Sequence, residues 1–153
     1  MKAYECDAEH IYAVTLSAEL SGSYNSAILG KNLFLEEQPE KKVHVFNSKS
    51  ASGGQSLIAM KIVECEEKGL SFEEVVSEVE KYIEEMNTFF VLENLETLRK
   101  NGRLGRVKAL VASALKIKPV MGATPEGTIC QLDQARGMNK AIVKMVDHIG
   151  EKG

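Results

Sequence analysis

Apolar residues near the start of the chain follow two different periods. Ile11 to Leu16 is a short, β-rich apolar run, and after a serine-containing break the spacing changes: Tyr24, Ala27, Ile28 and Leu35 share one face of a helix predicted from about Ser21 to Glu37. The succession then repeats. "KVHVF" predicts a strand, "NSKSASGGQ" a loop, and "SLIAMKIVECEEK" a helix closed by Gly69. Two consecutive βα units predict a parallel α/β sheet with helices on its faces.

Ser71 and Glu74 form a capping-box pattern ahead of Phe72, Val75, Val76, Val79, Tyr82, Ile83 and Met86, which follow the i, i+3, i+4, i+7 rule. "TFFVL" predicts another strand. Beyond it, Gly102 and Gly105 interrupt a basic turn before Val107, Leu110, Val111 and Ala114 mark a further helix. "IKPVMGA" and "TICQLDQ" flank Pro125, Glu126 and Gly127, the residues of a hairpin turn. A closing helix from Met138 to about Ile149 would put Met138, Ile142, Met145, Val146 and Ile149 on one face. The fold class expected is therefore α/β: parallel-sheet βα units, then a mixed α/β lobe with a β-hairpin and helices. The change of rhythm divides it into a partial N-terminal lobe, residues 1–87, and a partial C-terminal lobe, residues 88–153, with a ligand expected between them. The opening "MKAYECDAEH" mixes charges at helical spacing, which suggests a chain that begins inside a helix and is a piece of something longer.

Composition narrows the function classes. Of the 153 residues, 44% are hydrophobic and 27% charged, a globular balance, and the net charge of −3 offers no basic field for nucleic acid. Cys6, Cys65 and Cys130 are odd in number and lack CxxC spacing, so neither a disulfide framework nor a structural zinc site is expected. No stretch approaches the roughly 18 apolar residues of a membrane span. A cytoplasmic protein without integral membrane segment or metal is the expectation.

The chemistry concentrates in the two loops. In open parallel sheets, ligands lie beyond the carboxyl ends of strands, and unpaired N–H groups at helix starts favour anions. Ser17, Ser21 and Ser23 in the first loop and Ser48, Ser50 and Ser52 in the second offer neutral hydroxyls, with Lys49 the one charge in the second loop. Two readings stand side by side: ordinary serine caps, or a seat for a carboxylate or phosphate. Neither GxGxxG nor a P-loop is present, and His10, His44 and His148 fall in no recognisable catalytic or metal-binding spacing. Arg99, Lys100, Arg103, Arg106 and Lys108 crowd one turn, either as a solvated face or as a docking patch.

Taken in order, "LSGSYNSA", "NSKSASGGQ", "ENLETLRKNGRLGRVKAL" followed by "KIKPV", and "QARGMNKA" resemble the DegV family of bacterial lipid-binding proteins, over Ile11 to Ile149. The resemblance implies two α/β domains enclosing a long-chain fatty acid, which is presented to a separate fatty acid kinase for phosphorylation of its carboxylate. It implies a non-catalytic carrier with no cofactor. Ser21, Gly22 and Ser23 would lie at the carboxylate, Ser50, Ser52 and Gly54 would border the ligand, and Arg103, Arg106 and Arg136 would serve the lobe interface or kinase docking; Ser17, a donor of the first loop, is a further candidate ligand-binding residue. Ser23 stands where the family commonly has threonine, Asn47 where it has aspartate and Ser56 where it has glycine. The family is about twice as long, and its first strand, an early Ser/Thr-rich loop and its closing strands have no counterpart here. The runs Ile58 to Val63 and Ala109 to Leu115 would line a tunnel or form ordinary core. Competing readings are a serine-loop phosphotransferase or acyl hydrolase, and a protein-interaction module built on the basic turn.

Overall fold

The structure, a computed structural model, describes residues 7–103 and 117–152. It divides into two compact units, one through Met86 and one from Asn87. The first contains β1 (His10–Thr15), α1 (Ser23–Glu37), β2 (Lys42–Asn47), α2 (Gly53–Glu67) and α3 (Phe72–Glu85). The second contains β3 (Phe89–Val91), α4 (Glu96–Lys100), β4 (Ile117–Ala123), β5 (Ile129–Arg136) and α5 (Met138–Lys152). The α/β class expected from the sequence is what the structure shows: a two-stranded parallel sheet and a three-stranded antiparallel one, with helices.

In the first unit β1 and β2 run parallel in register from His10 opposite Lys42 to Thr15 opposite Asn47. Period-2 alternation sorts their side chains between the two faces. Phe46 on one face is fully buried with Ile58, Ile62 and Cys65 of α2 and Val75, Val79 and Ile83 of α3, and Tyr12 and Val14 pack beside them. Val43 and Val45 point to the other face, where α1 packs against β2. Tyr24, Ala27, Ile28 and Leu35 are the half-buried side of α1, while Leu29 and Leu33 are exposed.

Local signals set the helix ends. At the end of α2, Gly69 takes a φ of +72°, its N–H donates to Glu66 O, and the Leu70 N–H donates to Cys65 O. This is a Schellman ending, and Leu70 follows it into the core. Then Ser71 caps α3 with the reciprocal Glu74 box.

The second unit is the hairpin with β3 added antiparallel to β4. Gly127, at φ +88°, closes the turn, and its N–H donates to Thr124 O. A bulge follows: Val120 faces Asp133 but Met121 faces Gln131, so Leu132 is the extra residue. Gly122 fits there because an added Cβ would come within 2.8 Å of Leu132 Cδ1 and 3.0 Å of Thr88 O.

Three sequence expectations change. The buried side of α5 is Ala141 with Met145, packed on Val91, Val120 and Ala135, whereas Ile142, Val146 and Ile149 are 43%, 55% and 46% exposed. The small Ala141, with Met145, packs on the sheet, and on the same stripe Lys144 and His148 reach Asp133 of β5, at 2.8 Å and 3.8 Å. The short helix α4 stands where only a basic turn was expected, supported by Asn94 accepting the Glu96 N–H and by a Glu96–Lys100 ion pair. Residues 7–9 are irregular rather than helical. Met86 packs on the core with the helical face, as its spacing implies, but does so as the extended residue that ends α3. The helix expected over Val107 to Ala114, the run Ala109 to Leu115, Cys6 and the opening six residues lie outside the described residues. Among the described residues no helix is long and apolar enough to cross a membrane, and no three His, Cys, Asp or Glu side chains group as a metal site.

Candidate functional site: paired serine loops

Adjacent parallel strands deliver their loops to the same end of the sheet, so the β1–α1 and β2–α2 loops lie side by side. They are bonded to each other. The Ser17 N–H donates to Ser50 O at 2.9 Å, and the Ala18 N–H donates to Asn47 Oδ1 at 3.0 Å. Asn47 Oδ1 also accepts the Lys49 N–H, at 3.2 Å.

The buried serines build this frame. Ser17, Ser48 and Ser50 are almost wholly withdrawn from solvent. Ser17 O accepts the N–H groups of Leu20 and Ser21, and Ser17 Oγ accepts that of Glu19. Ser48 Oγ donates to Ser50 O at 3.0 Å and accepts the Ser50 N–H at 3.2 Å. Such bonds satisfy polar groups that burial would otherwise leave costly.

The outer residues form the entrance. Ser21 Oγ accepts the N–H of Ser23, the first residue of α1, at 3.2 Å, and the cap residue ahead of it, Gly22, makes no side-chain cap bond. Gly22 and Ser23 are exposed. In the second loop, Ser52 caps α2 and Gln55 Oε1 accepts the Ser52 N–H. Lys49 and Ser52 both hold positive φ, +48° and +51°, an unusual backbone for residues with a Cβ. Lys49 is anchored by an ion pair with Glu84 of α3. Gly54 is required by space: an added Cβ would sit 2.2 Å from Ser50 Oγ and 2.8 Å from Ser50 Cβ.

Ser17, Ser21, Gly22, Ser23, Ser50, Ser52 and Gly54 thus all belong to one pair of joined loops, with Ser17, Ser50 and Gly54 as framework and Ser21, Gly22, Ser23 and Ser52 as its outer surface. Asn47, which sequence reasoning noted only as a departure from the family, is the side chain that joins them. The signal available was its place at the last position of β2, where an Asx side chain bonds the N–H two residues on. Arg103 is exposed in the turn after α4, and Arg136 is exposed at the end of β5; Arg106 lies outside the described residues. Of the run Ile58 to Val63, Ile58 and Ile62 are core and Met60 and Val63 are exposed.

The histidines are held elsewhere by carboxylates. His10 Nδ1 lies 2.8 Å from Glu66 Oε1, His44 Nε2 lies 3.1 Å from Glu80 Oε1, and His148 lies between Asp133 and Glu151. Tyr12 O–H also donates to Glu66, at 2.6 Å. Burial first, and that bond second, push the Tyr12 phenol above its ordinary range, while the Tyr12 hydroxyl and then His10 hold Glu66 below the usual carboxylate range. An open cleft of about 600 Å³ adjoins this cluster, lined by Tyr12, Ile62 and Val63 among others.

A family model described as an uncharacterised protein of the DegV family matches residues 1–153. The chain belongs to the DegV family. A DegV domain-containing protein of Streptococcus pneumoniae is 40% identical over the full 153 residues, and the chain spans about half of that relative's length, 54%. A solved DegV-family protein of Ruminococcus gnavus, with vaccenic acid, is 64% identical and superposes with a TM-score of 0.93, covering 99% of this chain and 54% of that one. The fatty acid kinase (Fak) B3 protein of S. pneumoniae, loaded with linoleic acid, is 39% identical with a TM-score of 0.85, covering 96% of this chain and 52% of its own. The DegV structures share the α/β arrangement described above.

Proposed function

We propose that this chain is part of a DegV fatty-acid carrier that buries the tail of a long-chain fatty acid and offers its carboxylate to a fatty acid kinase. One observation carries the reading: two serine-rich loops are joined at the carboxyl ends of parallel strands, in a chain 64% identical to a DegV protein solved with vaccenic acid. The kinase step draws support from the likeness to the Fak B3 protein.

The physics suits such a ligand. Burying hydrocarbon is worth ~0.8 kcal/mol per CH₂, so about 14 methylenes supply ~11 kcal/mol gross before ordering costs. Affinity comes from the tail; polar groups set the direction. Neutral hydroxyl and N–H donors at a helix start hold a carboxylate without a counter-ion, which leaves it nucleophilic toward an incoming phosphoryl group. In this reading Ser21, Gly22, Ser23 and Ser52 face the head group, and Ser17, Ser50 and Gly54 shape their loops. Arg103, Arg106 and Arg136 meet the kinase, the two lobes divide at residues 87 and 88, and the carrier works in the cytoplasm without cofactor or chemistry of its own.

Mass spectrometry of lipid extracted from the purified whole protein tests the carrier. A stoichiometric acyl chain is expected, whereas empty protein that hydrolyses an ester refutes it. Ser21→Ala is expected to weaken fatty-acid binding by ~1–3 kcal/mol, and unchanged affinity returns Ser21 to a plain turn residue.

A further inference from the structure

We infer that Asn47 is a positioning residue for the fatty-acid head group, because its one side-chain carbonyl fixes both serine loops at once. The inference rests on the carrier reading above. Asn47 is the last residue of β2, half-buried, and its Oδ1 accepts from Ala18 at 3.0 Å in the first loop and from Lys49 at 3.2 Å in the second. The two N–H groups come from chain positions 29 residues and 2 residues away, so one atom sets a local turn and a long-range junction together. The turn it sets is the unusual one, since Lys49 holds φ +48° and the following cap, Ser52, holds +51°.

Side-chain bonds also hold the first loop: Thr15 Oγ1 donates to Phe46 O at 3.2 Å, and Ser17 Oγ accepts the Glu19 N–H at 3.3 Å. The Ser17 N–H to Ser50 O bond and the Ser48 N–H to Thr15 O contact, at 3.4 Å, lie nearer the sheet, while Ala18 begins the turn that carries Ser21, Gly22 and Ser23. Loss of the Asn47 acceptor therefore loosens the junction at Ala18 and the turn at Lys49 and leaves the strands paired. Asn47 need not touch the fatty acid. Its effect passes through the direction in which Ser21 and the start of α1 point.

The requirement is for an acceptor at this place, and aspartate supplies one of the same length and shape, whereas alanine supplies none and glutamine moves it outward by one methylene. In the whole protein, Asn47→Ala and Asn47→Gln are expected to bind oleate about tenfold more weakly, and Asn47→Asp to bind within about threefold of the parent. Amide exchange at Ala18 and Lys49 should rise in Ala and Gln and stay low in Asp. Ser71→Ala, at the remote cap of α3, is the control for stability alone: it should lower the melting temperature without changing oleate affinity. Should Asn47→Ala fail to fold, the contrast between Asp and Gln decides.

The inference is overturned if Gln binds like Asp, or if Ser71→Ala weakens binding as much as Asn47→Gln at equal loss of stability. Parent protein that takes up no oleate overturns the carrier reading and this inference with it. Parent protein that binds while all three Asn47 variants bind equally well overturns the inference alone.

Discussion

Gly53 and Gly54 are neighbours in the first turn of α2, yet replacing each by alanine should change stability in opposite directions. In an ordinary helical position alanine is favoured over glycine by up to about 1 kcal/mol, because glycine loses more backbone freedom on folding. A Cβ at Gly53 would meet nothing within 4 Å, so Gly53→Ala should stabilise by ~0.5–1 kcal/mol. A Cβ at Gly54 would lie 2.2 Å from Ser50 Oγ, 2.8 Å from Ser50 Cβ and 3.2 Å from Met86 Cε. Rotation of the hydroxyl relieves the first contact but not the second. The Ser50 main chain cannot retreat cheaply either, since its carbonyl accepts from Ser17 N and Ser48 Oγ. Overpacking of this kind costs ~1–3 kcal/mol, and after the helical gain a net loss of about 1–2 kcal/mol remains. Urea unfolding of both variants should place their midpoints on the order of 1 M apart, given the slopes usual for small proteins. Ser50→Gly removes the opposing Cβ, so in that background Gly54→Ala should no longer destabilise. If Gly54→Ala stabilises as much as Gly53→Ala, the tight contact between the loop and α2 is wrong.

Three further outcomes follow from the first unit. Ser71→Ala should cost about 1 kcal/mol at neutral pH by removing the cap of α3. Hydrogen bonds from Ser71 hold the Glu74 carboxyl below its usual range, so the stabilisation it brings is present above the unfolded value and fades as pH falls through the folded one; the cost of Ser71→Ala should shrink at pH 3, and a constant cost contradicts it. Tyr12→Phe should raise the Glu66 carboxyl titration seen by NMR, because the phenol is the largest influence holding it down. The phenol itself is raised, so the fold keeps it neutral; the stability this gives is complete below the unfolded tyrosine value near 10 and is lost as pH rises through the folded one, which an ultraviolet titration of parent against Tyr12→Phe would reveal. Ile58→Ala should cost about 2–5 kcal/mol in thermal or urea unfolding, since Ile58 is fully buried between β2, α2 and α3, and a loss below 1 kcal/mol would move it out of the core.

How much of this was legible depends on whether a signal was local. The Ser71–Glu74 box, the Gly69 ending and the Pro125–Gly127 turn each fix a few adjacent residues, and each lies where the sequence places it. The buried stripe of α5 was not legible, because its seven apolar residues, Ala141 and Val143 included, permit more than one face. The choice falls on the stripe where Ala141 and Met145 meet Val91, Val120 and Ala135 and where Lys144 and His148 reach Asp133, and no periodicity within the helix carries that information. For α4, five residues are too few to show a period.

The serine loops divide along the same line. That they are rich in hydroxyls is plain from composition; which hydroxyls are structural is decided by the parallel pairing of β1 with β2, which brings Ser17 to Ser50 across 33 residues of chain. Once paired, the loops bury Ser17, Ser48 and Ser50 and leave Ser21, Ser23 and Ser52 outward. A serine count therefore overstates the donors available to a ligand, and the two groups should respond differently to mutation. Ser48→Ala removes a donor to Ser50 O and an acceptor for Ser50 N in a buried loop, so it should cost ~1–3 kcal/mol of stability. Ser23→Ala removes an exposed hydroxyl and should change stability by less than ~0.5 kcal/mol, so that any loss of fatty-acid affinity it causes reports on the head group directly. Measured together by urea unfolding and oleate titration, Ser48→Ala should move stability and Ser23→Ala should not. The reverse pattern would mean that the outward hydroxyls hold the fold and Ser48 does not, against the bonds Ser48 makes to Ser50.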